Sequence, residues 1–164
     1  MNYDMPTVFF DTAKPALLAM PLPNPTREAI QSFQVGLAKY AQTELAPDHY
    51  FADGQCLREL VIPAETFVVG KIHRHEHVVM LASGEVTINT NKGMERIKGP
   101  KAWVSPAGAK RALFTHTECV FWTSHLNPTN TQDLAELEAI VIEPEPSPFE
   151  GLAQITEDIQ RAYS

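Results

Sequence analysis

Between residues 50 and 126 the chain breaks into short runs rich in Val, Ile, Thr, Phe and Trp, each stopped by a turn signal. Leu57 to Ile62 ends at Pro63-Ala64-Glu65, His77 to Ala82 at Ser83-Gly84, and Val86 to Thr90 at Asn91-Lys92-Gly93. Met94 to Lys98 ends at Gly99-Pro100, and Ala102 to Ser105 at Pro106-Ala107-Gly108. Phe67 to His73, Arg111 to Thr115 and Cys119 to Leu126 complete a set of about eight strands. Runs this short and this regularly punctuated leave no room for helices. They predict a mainly β fold, a sandwich or small barrel such as a double-sheet jelly roll.

The flanks read differently. Pro21/Pro23/Pro25 and Pro144/Pro146/Pro148 alternate in a way that forbids helix and favours extended chain. They divide the sequence into a Pro-rich extended arm (1–25), a helix (26–46), the β body (50–127) and a C-terminal helical segment with a Pro-rich linker (128–164). The first helix has Asn24 as its expected cap, Pro25 at its first position, and Ile30, Phe33, Leu37 and Ala41 on one stripe. A second is expected from Thr131 to Ile142, with Leu134, Leu137 and Val141 in phase. A short third follows Gly151, on Leu152, Ile155 and Ile159.

A net charge of -7 argues against a duplex nucleic-acid partner, which demands a basic face; Lys110-Arg111 is the one adjacent basic pair. Cys56 and Cys119 form no CxxC pair and are expected to be buried free thiols. The start, Met1-Asn2-Tyr3-Asp4, has no signal-peptide character, and no apolar run nears the roughly 18 residues that span a bilayer. The expected setting is cytoplasmic, away from membranes.

Chemistry concentrates in Lys71-Ile72-His73-Arg74-His75-Glu76-His77, which holds three of the six histidines. In an extended segment alternate side chains share a face, so three imidazoles at this spacing would point together. Trp103 and Trp122, in strand settings, are expected in the core.

With the strands laid out, the chain resembles the cupin family. That family's first motif runs Gly, five residues, His-x-His, three or four residues, Glu, six residues, Gly. Counting back from Gly84 puts His77 at the glutamate position, His73 at the second histidine and Lys71 at the first. The second motif, Pro-x-Gly-x-x-His, matches Pro106-Ala107-Gly108-Ala109-Lys110-Arg111, with Arg111 in place of the histidine. Residues 55 to 126 carry this likeness. The stretches Gly70 to His77, Ser105 to Arg111 and His125 to Asn130 look like those of cupin-like bacteriophage proteins. The resemblance implies a cupin-type jelly-roll barrel with an N-terminal helix and one or two C-terminal helices. It further implies a homo-oligomer, dimer or higher, with edge strands or terminal helices in the contact. A phage origin would place the chain in the host cytoplasm or on a virion.

The resemblance also implies a metal held by four positions, which here are Lys71, His73, His77 and Arg111. Two cations offer no lone pair to a divalent ion, so no metal is favoured. If one binds, His73, His75 and His77 are its candidates, with His116, Glu118 or His125 completing the set. The favoured reading is an anion pocket: Lys71 and Arg111 bind a phosphate or carboxylate. His73 and His77 are then the acid/base pair, with His75 and His116 second in rank. Glu65, Glu118 and His125 are further ligand-binding candidates. The expected ligand is a nucleotide, including a cyclic nucleotide signal, or a sugar phosphate. Its hydrolysis would be metal-independent and phosphodiesterase-like. A metal-dependent cupin enzyme and a non-catalytic virion or scaffold component are the alternatives.

Overall fold

The computed structural model describes residues 5–9, 12, 25–148 and 161. Among these residues, ten strands and two helices follow in order: β1 (Thr7–Phe9), α1 (Arg27–Leu37), β2 (Asp48–Ala52), β3 (Gln55–Ile62), β4 (Thr66–Val69), β5 (His77–Ser83), β6 (Glu85–Thr90), β7 (Gly93–Lys98), β8 (Lys101–Ser105), β9 (Ala112–Thr115), β10 (Cys119–Leu126) and α2 (Leu134–Val141). One sheet has the order β1-β4-β9-β6-β7 and the other β2-β3-β10-β5-β8. Every pairing within them is antiparallel. Strands β3 to β10 alternate between the sheets as 3-10-5-8 and 4-9-6-7, which is the double Greek-key winding of a jelly roll.

Alternation along the strands builds the core. Leu60, Ile62, Leu81, Val86, Ile97 and Phe121 fill the space between the sheets. Strand β4 is buried on both faces. Val68 faces the other sheet, whereas Phe67 and Val69 turn outward and are covered by Ile30, Phe33 and Leu37 of α1. Helix α2 packs Leu137 and Val141 on Cys56. Both cysteines are buried and free.

The elements depart from the sequence expectations at several points. Helix α1 ends at Leu37, and its cap is Thr26, whose Oγ1 accepts from the Ala29 amide at 3.1 Å. The expected arm contributes β1, which pairs with β4 at the sheet edge. Strand β2, Asp-His-Tyr-Phe-Ala, pairs with β3 although it has no β-branched residue. The expected strand from Phe67 to His73 stops at Val69, and the third helix lies outside the described residues.

What replaces the end of that strand positions the site. Beyond Gly70, whose amide donates to the Arg111 carbonyl, the chain crosses the barrel mouth and is backed by the segment after α2. His73 forms an isolated bridge with Ile142. The Arg74 amide donates to Val141, the Glu143 amide to Ile72, and Arg74 Nε to the Ile142 carbonyl, each at 2.9 Å. The Gly108 amide, from the Pro106 turn, donates to the His73 carbonyl at 2.9 Å.

Candidate functional site

Three imidazoles meet at the barrel mouth. His73 comes from the crossing segment, His77 from the start of β5 and His125 from the end of β10. Ring centroids are 4.1 Å apart for His73 and His77, 5.2 Å for His73 and His125, and 6.1 Å for His77 and His125. The His77 Nδ1–H donates to the His75 carbonyl at 3.1 Å, and the His73 ring donates to the Lys71 carbonyl. A carbonyl can only accept, so His77 is fixed in the tautomer with its lone pair on Nε2. Nε2 of His73 and Nε2 of His125 are buried with no hydrogen-bond partner among the described residues. Such atoms are rare in folded proteins and call for an explanation.

Burial keeps these rings neutral. It lowers His73 to about 3 and His125 to about 2, with repulsion from Arg58 and neighbouring imidazoles adding in the same direction. His77 and His49 are lowered as well, again mainly by burial. His49 sits on β2 opposite Arg58 in the register and acts electrostatically on His125. The site thus draws on four of the six histidines.

These rings adjoin a cavity of about 100 Å3 between the two sheets. Its floor is apolar, with Leu60, Ile62, Val79, Leu113 and Phe121; Arg58, Lys71, His73, His77 and Arg111 line the polar part. Among the described residues, no aspartate or glutamate lines it. Arg58 donates to Thr123 Oγ1 at 3.5 Å across the β3–β10 register. Arg111 is held by Nη1 donating to the Asn89 carbonyl at 2.8 Å. Asn89 is itself fixed, donating to the Lys110 carbonyl and accepting from the Ala112 amide. Lys71 reaches a different partner: it is ion-paired with Glu138 of α2. It therefore stands between this cavity and a wider groove of about 350 Å3 under the Pro144–Pro148 segment.

The remaining sequence candidates lie elsewhere. His75 is exposed in the bend before β5, so the run does not present three imidazoles on one face. Glu65, His116 and Glu118 sit at the opposite end of the sheets. The register shows this: Val69 pairs with Ala112 near the mouth, whereas Thr66 pairs with Thr115 at the far end. His116 Nε2 lies 2.7 Å from Thr87 Oγ1, and Glu65 is a turn residue at φ 53. Trp103 packs against the core cluster between the sheets and also lines the cavity. Trp122 lies on the outer side of its sheet and donates to Glu59 at 2.6 Å. Sequence reasoning missed Arg58 and His49. The available signal was parity: Arg58 shares its strand face with Cys56, Leu60 and Ile62, an apolar row in which a cation is out of place.

The donor chemistry suits a transition metal in part. Neutral imidazoles with Nδ1–H on a carbonyl and a free Nε2 are what such ions take. Among the described residues, however, no group of three or more His, Cys, Asp and Glu side chains is set around a common point. A metal at the mouth would require the rings to turn about their side-chain torsions.

The two antiparallel sheets form a jelly roll with histidines and cations at its mouth. Solved cupin structures align with it. A cupin-2 domain protein from Shewanella frigidimarina has 11% identity and a TM-score of 0.44, over 53% of this chain and 85% of its own. The cupin domain of Schizosaccharomyces pombe Cnp3 has 14% identity and a TM-score of 0.44, over 52% and 67%. An acetylacetone dioxygenase from Acinetobacter johnsonii has 16% identity and a TM-score of 0.43, over 50% of this chain and 59% of its own. The chain thus spans under two thirds of that dioxygenase, and likenesses at this level concern the fold alone. No protein-family model matches the chain, and no curated sequence matches it. Among the described residues, no helix is long and apolar enough to cross a membrane.

Proposed function

We propose that the chain binds a small anionic molecule in the barrel, with a phosphate or carboxylate group directed at Arg58, Lys71 and Arg111. The observation that carries this reading is the convergence of these three cations, from three separate stretches, on one cavity with an apolar floor. Guanidinium groups provide planar forks that match either anion. A volume of about 100 Å3 is far below the roughly 300 Å3 at which drug-sized sites begin, so the head group and a short apolar body fill it. A nucleotide would leave its base outside. The same stretches that resemble phage proteins make a phage-type member of this fold the reading we adopt for its origin.

Binding is better supported than catalysis. A histidine with a pKa of about 3 is a weak base and is never charged at neutral pH, so His73 is a poor acid/base partner. Of the pair, His77 is the better base, because its burial is less complete. The test is calorimetric titration with inorganic phosphate, small carboxylates and linear and cyclic nucleotides, with Trp103 fluorescence as a second readout. Saturable binding that Arg111→Gln weakens by about tenfold or more, the worth of a charge-assisted hydrogen bond, supports the reading. Silence across the panel at millimolar ligand overturns it.

The two unpartnered Nε2 atoms favour a second reading, in which His73, His77 and His125 hold a divalent transition ion. A bound ion would supply Lewis acidity beside the cations. Cobalt titration of chelator-treated protein tests it. Visible ligand-field bands that disappear in His125→Gln support the site, and an unchanged spectrum removes it.

A further inference from the structure

The two sheets part along β7 and β8, the last strand of each, and leave a groove of about 200 Å3 between them. Ile88, Trp103 and Arg111 line both this groove and the barrel cavity, so the two spaces share a wall. Together they reach about 300 Å3, the size at which sites for drug-sized molecules begin.

Alternation along the edge strands puts charge where apolar side chains belong. Glu95 shares its face of β7 with Ile97, and Lys101 shares its face of β8 with Trp103; Ile97 and Trp103 both pack between the sheets. Lys92, in the turn between β6 and β7, joins them at the groove. Among the described residues, the side chains of Lys92, Glu95 and Lys101 form no ion pair. Inward charges on edge strands can serve to deter pairing with other chains. That role requires neither an indole at the seam nor a cation-lined cavity on its other side.

We infer that the groove is the second half of the anion site and takes a planar, hydrogen-bonding ring, which makes the ligand a nucleoside monophosphate. This rests on the anion reading of the barrel given above. The phosphate lies with Arg58, Lys71 and Arg111, and the base lies against Trp103. Three features select that occupant. First, indole is a flat apolar platform, and every base has a π-face to stack on it. Second, a base edge carries donors and acceptors side by side. Glu95 accepts, Lys92 and Lys101 donate, and Asn91 does both. An alkyl chain in the same place would desolvate these groups and leave them unmatched. Third, Arg111 stands at the junction of the two spaces, fixed by its bond to the Asn89 carbonyl. A phosphate held there directs whatever it carries toward the groove. The base that the barrel cavity cannot hold is thereby housed next to it.

Calorimetric titration of the full chain with inorganic phosphate, ribose 5-phosphate and the four common nucleoside monophosphates tests this. At least one nucleotide should bind about tenfold or more tighter than ribose 5-phosphate, the worth of one stacked base. Trp103→Leu should remove most of that ratio. Because Trp103 also packs against the core, Glu95→Ala and Asn91→Ala are the second check, and each should lower the ratio by about threefold or more. In Trp122→Phe, where Trp103 is the one tryptophan left, the favoured nucleotide should quench fluorescence more strongly than ribose 5-phosphate does. Phosphate or ribose 5-phosphate binding as tightly as every nucleotide overturns the inference and leaves the anion reading standing. Silence from the whole series overturns both. A nucleotide advantage that survives Trp103→Leu and both groove variants places the base elsewhere and overturns the inference alone.

Discussion

His73 and His125 lie ring on ring, with centroids 5.2 Å apart and planes only 11° apart, yet they are separated by most of the barrel in sequence. Two stacked neutral imidazoles in a desolvated mouth are stable only while both remain uncharged. Their folded-state values, about 3 and about 2, lie below the ordinary 6.5. In the window between, the unfolded chain binds more protons than the folded one, so stability rises with pH there. It is complete above about 6.5 and is lost as pH falls toward the folded values, by about 1.4 kcal/mol per pH unit for each ring at most. Urea midpoints measured from pH 7 to pH 4.5 should therefore fall, and fall less steeply in His125→Gln.

Lys71 is shared between the cavity and Glu138, which makes that glutamate an internal competitor for an incoming anion. Removing its charge in Glu138→Gln should tighten anion binding, whereas Lys71→Met should weaken it, each by about three- to tenfold for a partly buried charge pair. Calorimetric titration with the best anion of the panel measures both. An unchanged affinity in the two variants would separate Lys71 from the ligand.

Lys110 is 4% exposed and pairs with Glu145 of the Pro-rich segment at 3.0 Å. Burial pulls its pKa down, and the glutamate holds it up. Breaking a buried pair from one side strands the other charge at a cost of up to about 3–5 kcal/mol, and the cost is greater when the stranded group is the more buried one; the Lys110 side chain is 1% exposed, whereas Glu145 is 14% exposed and keeps a hydrogen bond from Gln31. Glu145→Gln should thus lower the thermal midpoint more than Lys110→Met does, in differential scanning calorimetry.

Gly84 joins β5 to β6 at φ +97. A Cβ there would collide with the Glu118 carbonyl and stand 2.7 Å from Cys119 Sγ. Gly84→Ala is expected to destabilise the fold by about 2–4 kcal/mol, by strain and by displacement of the β10 start. Chemical denaturation checks the magnitude.

The barrel was legible because its turns are chemical: Gly84, Gly93, Pro106 and Gly108 mark where strands must stop. The two missing strands lacked such marks. Strand β1 is three residues long, and β2, Asp-His-Tyr-Phe-Ala, has no aliphatic row: its inner face holds His49 beside the site and Phe51 against the Cys56 cluster. The mouth was half legible. Spacing brought His73 and His77 together and left His75 at the bend. His125 stood among the lesser candidates because β10 reaches the mouth only through long-range pairing. Arg58 went unread because a cation in a strand usually faces water. The Lys71–Glu138 pair was invisible, since nothing in local pattern tells which loop a distant helix will back.

The segment crossing the mouth is held from behind by residues 141 to 143 and fastened further by Arg27 on Glu143 and Lys110 on Glu145. His73 is therefore set in place by residues made some seventy positions later. During synthesis the barrel strands through β10 can pair before this support emerges, but the crossing segment stays unbacked until it does. Each newly made molecule would then acquire its finished mouth only once translation has run past the second proline-rich stretch.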